Sequence, residues 1–84
     1  MPYVRVLEPE QCRAARAIVE WSRADLAERC GVAASTLADF EAGKREPYAR
    51  TLVDVRRTLE AAGVIFISAD ELGGPGVRRI LVPV

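Results

Sequence analysis

Residues 22–47 read SRADLAERCGVAASTLADFEAGKREP, and this stretch decides the fold of the chain. Ser22 can accept a hydrogen bond from a first-turn amide, and Asp25 three residues later completes the pattern of a capping box. Gly31 stands where the end of a helix favours a residue that tolerates positive φ. Gly43 repeats that signal further along. The stretch therefore predicts two short helices separated by a tight turn.

The apolar residues of the same stretch support this interpretation. Leu26, Ala27 and Cys30 fall on one face of the first predicted helix at helical spacing. Leu37 and Phe40 mark the second helix. Two short helices that cross steeply over a brief turn are typical of a helix-turn-helix.

The chain resembles the Cro/Xre-type, or phage-repressor-like, helix-turn-helix transcriptional regulators over residues 9–62. The resemblance rests on many positions that agree with the family in register. These positions are Arg16, Leu26, Ala27, Gly31, Val32, Thr36, Leu37, Glu41, Gly43 and Pro47. It implies a mainly α, four-helix repressor-like domain whose recognition helix, about residues 34–42, lies in the major groove of double-stranded DNA.

The resemblance also implies which residues contact DNA. The base-reading positions on the recognition helix would be Ala34, Ser35, Thr36 and Asp39. The contacts with phosphates would come from Arg23, Lys44, Arg45 and Arg50. A carboxylate at position 39 can accept from cytosine N4, although it repels nearby phosphates.

Arg16 and Glu41 are expected to have a structural role. In related domains the equivalent residues form an ion pair that joins the first helix to the recognition helix. The resemblance implies the same pair here, with Glu41 immobilising Arg16 and so fixing the angle between the two helices. We expect neither residue to read bases.

The composition bounds the function of the chain. Its 84 residues predict one domain, 1–84, and its 12 basic and 12 acidic residues leave no net charge. Neutrality counts against a strongly electrostatic nucleic-acid binder. However, all basic residues except Lys44 are arginines, which suit bidentate contacts with phosphates or bases. No membrane-spanning run or secretory signal is visible, so we expect a cytoplasmic protein.

The chain lacks the residues that metal and catalytic chemistry need. It contains no histidine, and Cys12 and Cys30 are its only cysteines. A structural zinc site needs four ligands, so we expect no metal and no cofactor, and both thiols should be buried. No evident carboxylate pair or nucleophile indicates an enzyme.

The helix-turn-helix core, residues 9–62, should be completed by two further helices. The first is predicted from Pro9 to about Glu20, with Cys12, Ala15, Ile18 and Val19 inward. The fourth is predicted from residue 49 or 50 to Ala62. Its buried stripe should comprise Leu52, Val55 and Leu59.

Residues 63–84 change character and predict a β-hairpin. A β-favouring run at 64–67 and a returning run at 77–82 flank a glycine-rich turn. The common family member continues instead with a fifth helix, and this tail resembles an Xre-type subgroup that contains GGPGVR. Residues 3–7 also alternate and predict a short N-terminal strand.

An isolated hairpin is barely stable in water, so this one needs a further strand. Residues 3–7 could supply that strand and cap the sheet within a monomer. Alternatively, the hairpin edges of two chains could pair across a two-fold axis. We expect the second arrangement, a homodimer through the β-tail.

Two functions are compatible with these features. The favoured one is a DNA-binding transcriptional regulator, such as a repressor. The alternative is a protein-interaction module, antitoxin-like or an antiactivator, that uses the helix-turn-helix scaffold without strong DNA binding. Charge neutrality, Asp39 and the β-tail motivate this alternative.

Overall fold

Four helices are followed by a β-hairpin in the computed structural model, which describes residues 5–81. The elements are α1 (Pro9–Val19), α2 (Arg23–Cys30), α3 (Ala34–Glu41), α4 (Ala49–Ala61), β1 (Val64–Ile67) and β2 (Gly76–Arg79). The predicted fold class, a mainly helical repressor-like domain with a C-terminal hairpin, is confirmed. Within residues 5–81, no helix is long and apolar enough to cross a membrane.

Every helix contributes to a single hydrophobic core. The fully or almost fully buried apolar residues are Leu7, Cys12, Ala15, Leu26, Ala27, Leu37, Phe40, Leu52, Val55, Leu59 and Val64. The stripe predicted for α4 is therefore buried. Ile18 and Val19 pack only against the margin of the core, as does Cys30. Cys30 is half-buried rather than buried, and both cysteines are free thiols.

Gln11 fixes the position of the hairpin against α1. Its side-chain oxygen accepts from the Glu8 amide at 2.9 Å and so completes a capping box at the start of α1. Its Nε2 donates to the carbonyls of Ile67 at 3.3 Å and Gly76 at 3.0 Å. One buried side chain therefore joins the start of the first helix to the loop end of both strands.

The two strands form an antiparallel sheet. Val64 lies opposite Arg79, and Ile67 lies opposite Gly76. The sheet packs against α1 and α4. β2 begins at Gly76 and ends at Arg79, so it is shorter than the predicted 77–82 run, of which Val82 lies outside the described residues.

The prediction of a strand at residues 3–7 is wrong for Arg5–Leu7, because these residues form no strand. Tyr3 and Val4, the rest of that prediction, lie outside the described residues. Contacts with the helical core replace the hydrogen bonds that a strand would need from a neighbouring strand. Leu7 is fully buried in the core. The Val6 carbonyl accepts from Arg56 at 2.9 Å.

Candidate nucleic-acid interface

Local hydrogen bonds define both ends of α2 and the turn that follows it. The Ser22 hydroxyl accepts from the Asp25 amide, the Asp25 carboxylate accepts from the Ser22 amide, and both distances are 3.0 Å. Gly31 ends the helix with φ of 74°. The Val32 amide then donates to the Ala27 carbonyl at 3.0 Å. The capping box and the glycine turn therefore form as the sequence predicts.

Replacing Ser22 with Ala should lower the free energy of unfolding by about 1 kcal/mol, because it removes the helix cap. The bonds from Ser22 lower the pKa of Asp25. The contribution of this carboxylate is therefore complete above its ordinary pKa and is lost as pH falls through the lowered value. Urea unfolding at several acidic pH values measures this loss of stability.

Ser35→Ala is the matched control, because Ser35 lies inside α3 and caps no helix. It should leave stability almost unchanged at every pH. Wild-type stability that does not fall as pH drops from the ordinary to the lowered pKa of Asp25 would contradict the assigned linkage.

The orientation of α3 follows from which side chains it buries. Leu37, Phe40 and Glu41 point into the protein. At 100° per residue, the opposite face carries Ser35, Asp39 and Ala42. Ser35 and Ala42 are exposed, and Asp39 is partly exposed. This outer face of α3 is the surface that a major groove could receive.

The predicted base-reading residues occupy two parts of this helix. Ala34 and Ser35 are exposed in its first turn. Its N-cap residue, Ala33, makes no side-chain cap, so the first amides of α3 have no side-chain partner at that position. Thr36 is turned aside, because it lines an open cleft of about 450 Å³ with Arg45 and other residues of the segment that follows α3.

Arg16 and Glu41 form a bidentate ion pair between α1 and α3. Arg16 Nε lies 2.7 Å from Glu41 Oε2, and Arg16 Nη2 lies 2.8 Å from Glu41 Oε1. The side chain of Glu41 is 3% exposed and that of Arg16 is 19% exposed. The hydrogen bonds to Glu41 raise the pKa of Arg16 above its ordinary value.

Two more contacts extend this pair into a network. The Cys12 thiol donates to Glu41 Oε2 at 3.1 Å, and burial raises the pKa of this thiol above its ordinary value. Arg16 Nη1 donates to the carbonyl of Trp21 at 3.1 Å, next to the start of α2. One guanidinium therefore connects α1 to the beginning of α2 and to the end of α3.

Arg23 is one of several cations around the C-terminal end of α3. It lines an open cleft of about 640 Å³ with Arg13, Ser22 and Ala42. Arg13 also donates to the backbone carbonyl of Glu41. Sequence analysis did not identify Arg13, although its position three residues before Arg16 on α1 could have indicated it.

Lys44, Arg45 and Arg50 are exposed. Lys44 and Arg45 follow α3 after Ala42 and Gly43, and Arg50 lies in the first turn of α4. Among residues 5–81, the arginines in ion pairs are Arg5, Arg16 and Arg56. The cations predicted to contact phosphates thus keep their charges available.

Arg5 pairs with Glu46, the acidic residue that directly follows Lys44 and Arg45 in the chain. Its guanidinium pairs with Glu8 at 3.0 Å and also with Glu46, and it lies 5.7 Å from the centre of the Phe40 ring. No sequence pattern indicates the contact with Glu46, because the two residues are remote along the chain. Pairing with Arg5, which is shared with Glu8, offsets part of the negative charge of Glu46.

The fold and this arrangement define a helix-turn-helix protein with an open second helix. The helix-turn-helix family model HTH_3 matches residues 13–61, which is more than half of the chain. The chain therefore belongs to the Cro/C1-type helix-turn-helix family, whose members are DNA-binding regulators rather than enzymes. No curated protein matches the chain.

Proposed function

We propose that this protein is a sequence-specific transcriptional regulator that places α3 in the major groove of double-stranded DNA. The outer face of α3 carries the proposal, since Ser35 and Ala42 are exposed while the hairpin packs elsewhere. A helix-turn-helix docks by this second helix, with its N-terminal residues closest to the base edges.

The side chains of this face can discriminate between bases. Ser35 can donate to or accept from a base edge, and Ala34 can contact the methyl group of thymine. The Asp39 carboxylate accepts hydrogen bonds only, so it favours the N4 amino group of cytosine. Thr36 stands nearer to the segment after α3 and contributes from the margin of the groove.

The cations beside α3 would hold the two phosphate strands. Arg23 begins α2, which crosses the backbone in this docking mode, and its cleft also contains Arg13. Lys44 and Arg45 also come after the C-terminal end of α3, and Arg50 adds a further charge at the start of α4. Such contacts supply affinity and salt dependence without sequence information.

Selection of duplexes from a random pool tests the proposal. The wild-type protein should enrich a defined motif, and Asp39→Asn should change the preferred base at one position of that motif. One bidentate or well-oriented polar contact is worth about 1–3 kcal/mol of discrimination, or roughly five- to 150-fold in relative affinity. Sequencing of the bound pool measures this change.

Asp54→Asn is the matched control, because this substitution removes the same charge from an exposed carboxylate on α4. It should leave the motif unchanged. If the wild-type protein enriches no sequence at low salt, the proposal fails, and a stoichiometric protein partner would favour the interaction-module alternative. A motif that ignores Asp39→Asn would remove Asp39 from the base-reading set.

A further inference from the structure

A cleft beside the C-terminal end of α3 collects arginines from the two other helices that border it. Arg13 and Arg16 come from α1, and Arg23 is the first residue of α2. The cleft has a volume of about 640 Å³ and is open to solvent. A small free ligand is normally bound in an enclosed pocket, so this open cleft suits a charged group that belongs to a larger molecule.

The charges that line the cleft favour an anion. Among residues 5–81, the only carboxylate in the lining is that of Glu41, which Arg16 already holds through hydrogen bonds of 2.7 and 2.8 Å. Asp25, the acidic residue closest to Arg23 along the chain, serves as the helix cap of α2 and does not line the cleft. Arg13 and Arg23 are both exposed and therefore remain for an anion.

Arg13 also separates the cleft from the negative end of α3. Backbone carbonyls at the end of a helix carry partial negative charge, and the last turn of α3 has no basic residue of its own. Arg13 donates to one of these carbonyls, that of Glu41. A guanidinium has five N–H donors, so this hydrogen bond leaves others for an anion in the cleft.

The cleft adjoins the face of α3 that a major groove could receive. Ala42 lines the cleft and also lies on the outer face of α3, together with Ser35 and Asp39. A major groove is about 12 Å wide and is bordered by the phosphates of both strands. One bordering strand of a groove that holds α3 would therefore pass beside Ala42.

We propose that Arg13 and Arg23 together bind one phosphodiester of the duplex in this cleft. The shared phosphate rests on the proposed function, because the anion belongs to bound double-stranded DNA. It adds a contact from α1 to a docking mode that uses α2 and α3. Each guanidinium can offer a pair of N–H donors to the phosphate oxygens, which the point charge of a lysine cannot do.

The shared phosphate also links the DNA strand to the position of α3. One guanidinium, that of Arg13, would hold both the phosphate and the carbonyl of Glu41 at the end of α3. Arg16 fixes the same end of the helix through the side chain of Glu41. Arg13 would therefore be a phosphate contact and a positioning residue at once, whereas Arg23 would be a phosphate contact only.

Neutralising single phosphates tests for the shared contact. Each phosphate of a bound duplex is replaced in turn with an uncharged methylphosphonate, and the affinity of the full chain is measured by fluorescence anisotropy. Loss of one phosphate contact should lower wild-type affinity by about eightfold near 0.1 M salt. At one position this loss should largely disappear in Arg13→Gln and in Arg23→Gln alike, because a single hydrated guanidinium in an open cleft holds a phosphate weakly.

Three further variants separate a phosphate contact from other roles. Arg57→Gln is the matched control, because Arg57 is an exposed arginine on α4 that does not line the cleft, and it should leave the profile unchanged. Arg13→Lys keeps the charge and should retain most of the loss at the shared position. The double variant Arg13→Gln with Arg23→Gln should lose hardly more affinity than either single variant, because both residues contact one phosphate.

A purely structural role of Arg13 would give a different profile. Arg13→Gln keeps an N–H donor for the Glu41 carbonyl, so its main effect is the lost charge. A structural defect would lower affinity for every duplex equally and would leave the sensitivity to each methylphosphonate as it is in the wild-type protein. Thermal unfolding verifies that each variant is folded.

A second measurement needs no variant. Phenylglyoxal modifies exposed arginines, and mass spectrometry locates the modified residues. A bound duplex should protect Arg13 and Arg23 to a similar extent, whereas Arg57 should stay reactive.

The outcomes distinguish the shared phosphate from the proposed function. A wild-type protein that binds no duplex at low salt would overturn both. Binding with a profile that Arg13→Gln leaves unchanged, or in which Arg13→Gln and Arg23→Gln affect two different phosphates, would overturn the shared phosphate alone. The same holds if Arg13 stays reactive in a complex that protects Arg23.

Discussion

Replacing Glu41 with Gln is expected to lower the free energy of unfolding by roughly 3 kcal/mol. Removing one partner of a buried ion pair leaves the other charge uncompensated, which typically costs about 3–5 kcal/mol. The lower end applies because Arg16 retains 19% of its side-chain exposure. The variant keeps the size of the side chain, so the effect reports charge. Urea denaturation followed by circular dichroism measures it.

The exposed pair between Arg56 and Glu60, 3.3 Å apart on α4, supplies the control. Glu60→Gln should change stability by less than about 1 kcal/mol, as is usual for surface pairs. Replacing both Arg16 and Glu41 with apolar residues should cost less than Glu41→Gln alone, because no charge is then stranded. Equal effects of Glu41→Gln and Glu60→Gln would contradict this account.

The second large effect is expected in DNA binding. Arg23→Ala combined with Lys44→Ala should weaken binding to all sequences by roughly sixtyfold near 0.1 M salt, and the loss should shrink toward 1 M. Each lost phosphate contact changes the slope of log affinity against log salt by about 0.9 for double-stranded DNA, or about eightfold per decade of salt. The combined slope should therefore fall by about 2.

Arg57→Ala is the control for charge alone, because Arg57 is exposed on α4 and lines none of the clefts beside α3. It should leave both affinity and salt slope nearly unchanged. Fluorescence anisotropy with a labelled duplex at several salt concentrations provides the slopes. A double variant that loses affinity without any change of slope would show that Arg23 and Lys44 do not contact phosphates.

The ion pair and the cations Arg23 and Lys44 belong to different parts of the candidate interface. The ion pair between Arg16 and Glu41 joins α1 to α3 and, through the Trp21 carbonyl, to the start of α2. We propose that it holds the outer face of α3 at a constant angle to Arg23. Loss of the pair should therefore reduce DNA affinity even under conditions where the variant remains folded.

The helices could be predicted because their boundaries depend on neighbours in the chain. The capping box at Ser22 and the positive φ at Gly31 need only a few adjacent residues to form. The apolar spacing of α4 likewise identified Leu52, Val55 and Leu59 as its buried face. Local hydrogen bonds and helical periodicity were sufficient for these elements.

The strand predicted at residues 3–7 failed over its described part for the opposite reason. Alternation in that segment is compatible with a strand, but Leu7 is buried in the core and the Val6 carbonyl accepts from Arg56. These contacts come from residues distant in the chain. Packing against the helices therefore determined a conformation that local propensity could not.

Some residues of the candidate site could be predicted from the sequence, and others appear only in the folded chain. Family resemblance implied Ser35 and Asp39 as base-reading positions, and they lie on the outer face of α3, but it could not show that Thr36 lines a cleft with Arg45. Arg13 and the pairing of Arg5 with Glu46 appear only in the folded chain. Long-range ion pairs follow from the approach of elements and leave no periodic signal.

The sequence by itself determined the helix-turn-helix, because its caps, turns and apolar faces each depend on residues within one or two helical turns. Only the tertiary structure decided which charges remain available and which surface is left uncovered. It paired Glu46 with Arg5, and it turned Ile65 and Ile67 outward by packing Val64 and Phe66 against the helices. The physical reason is that such pairings depend on distance in space, whereas a sequence pattern reports distance along the chain.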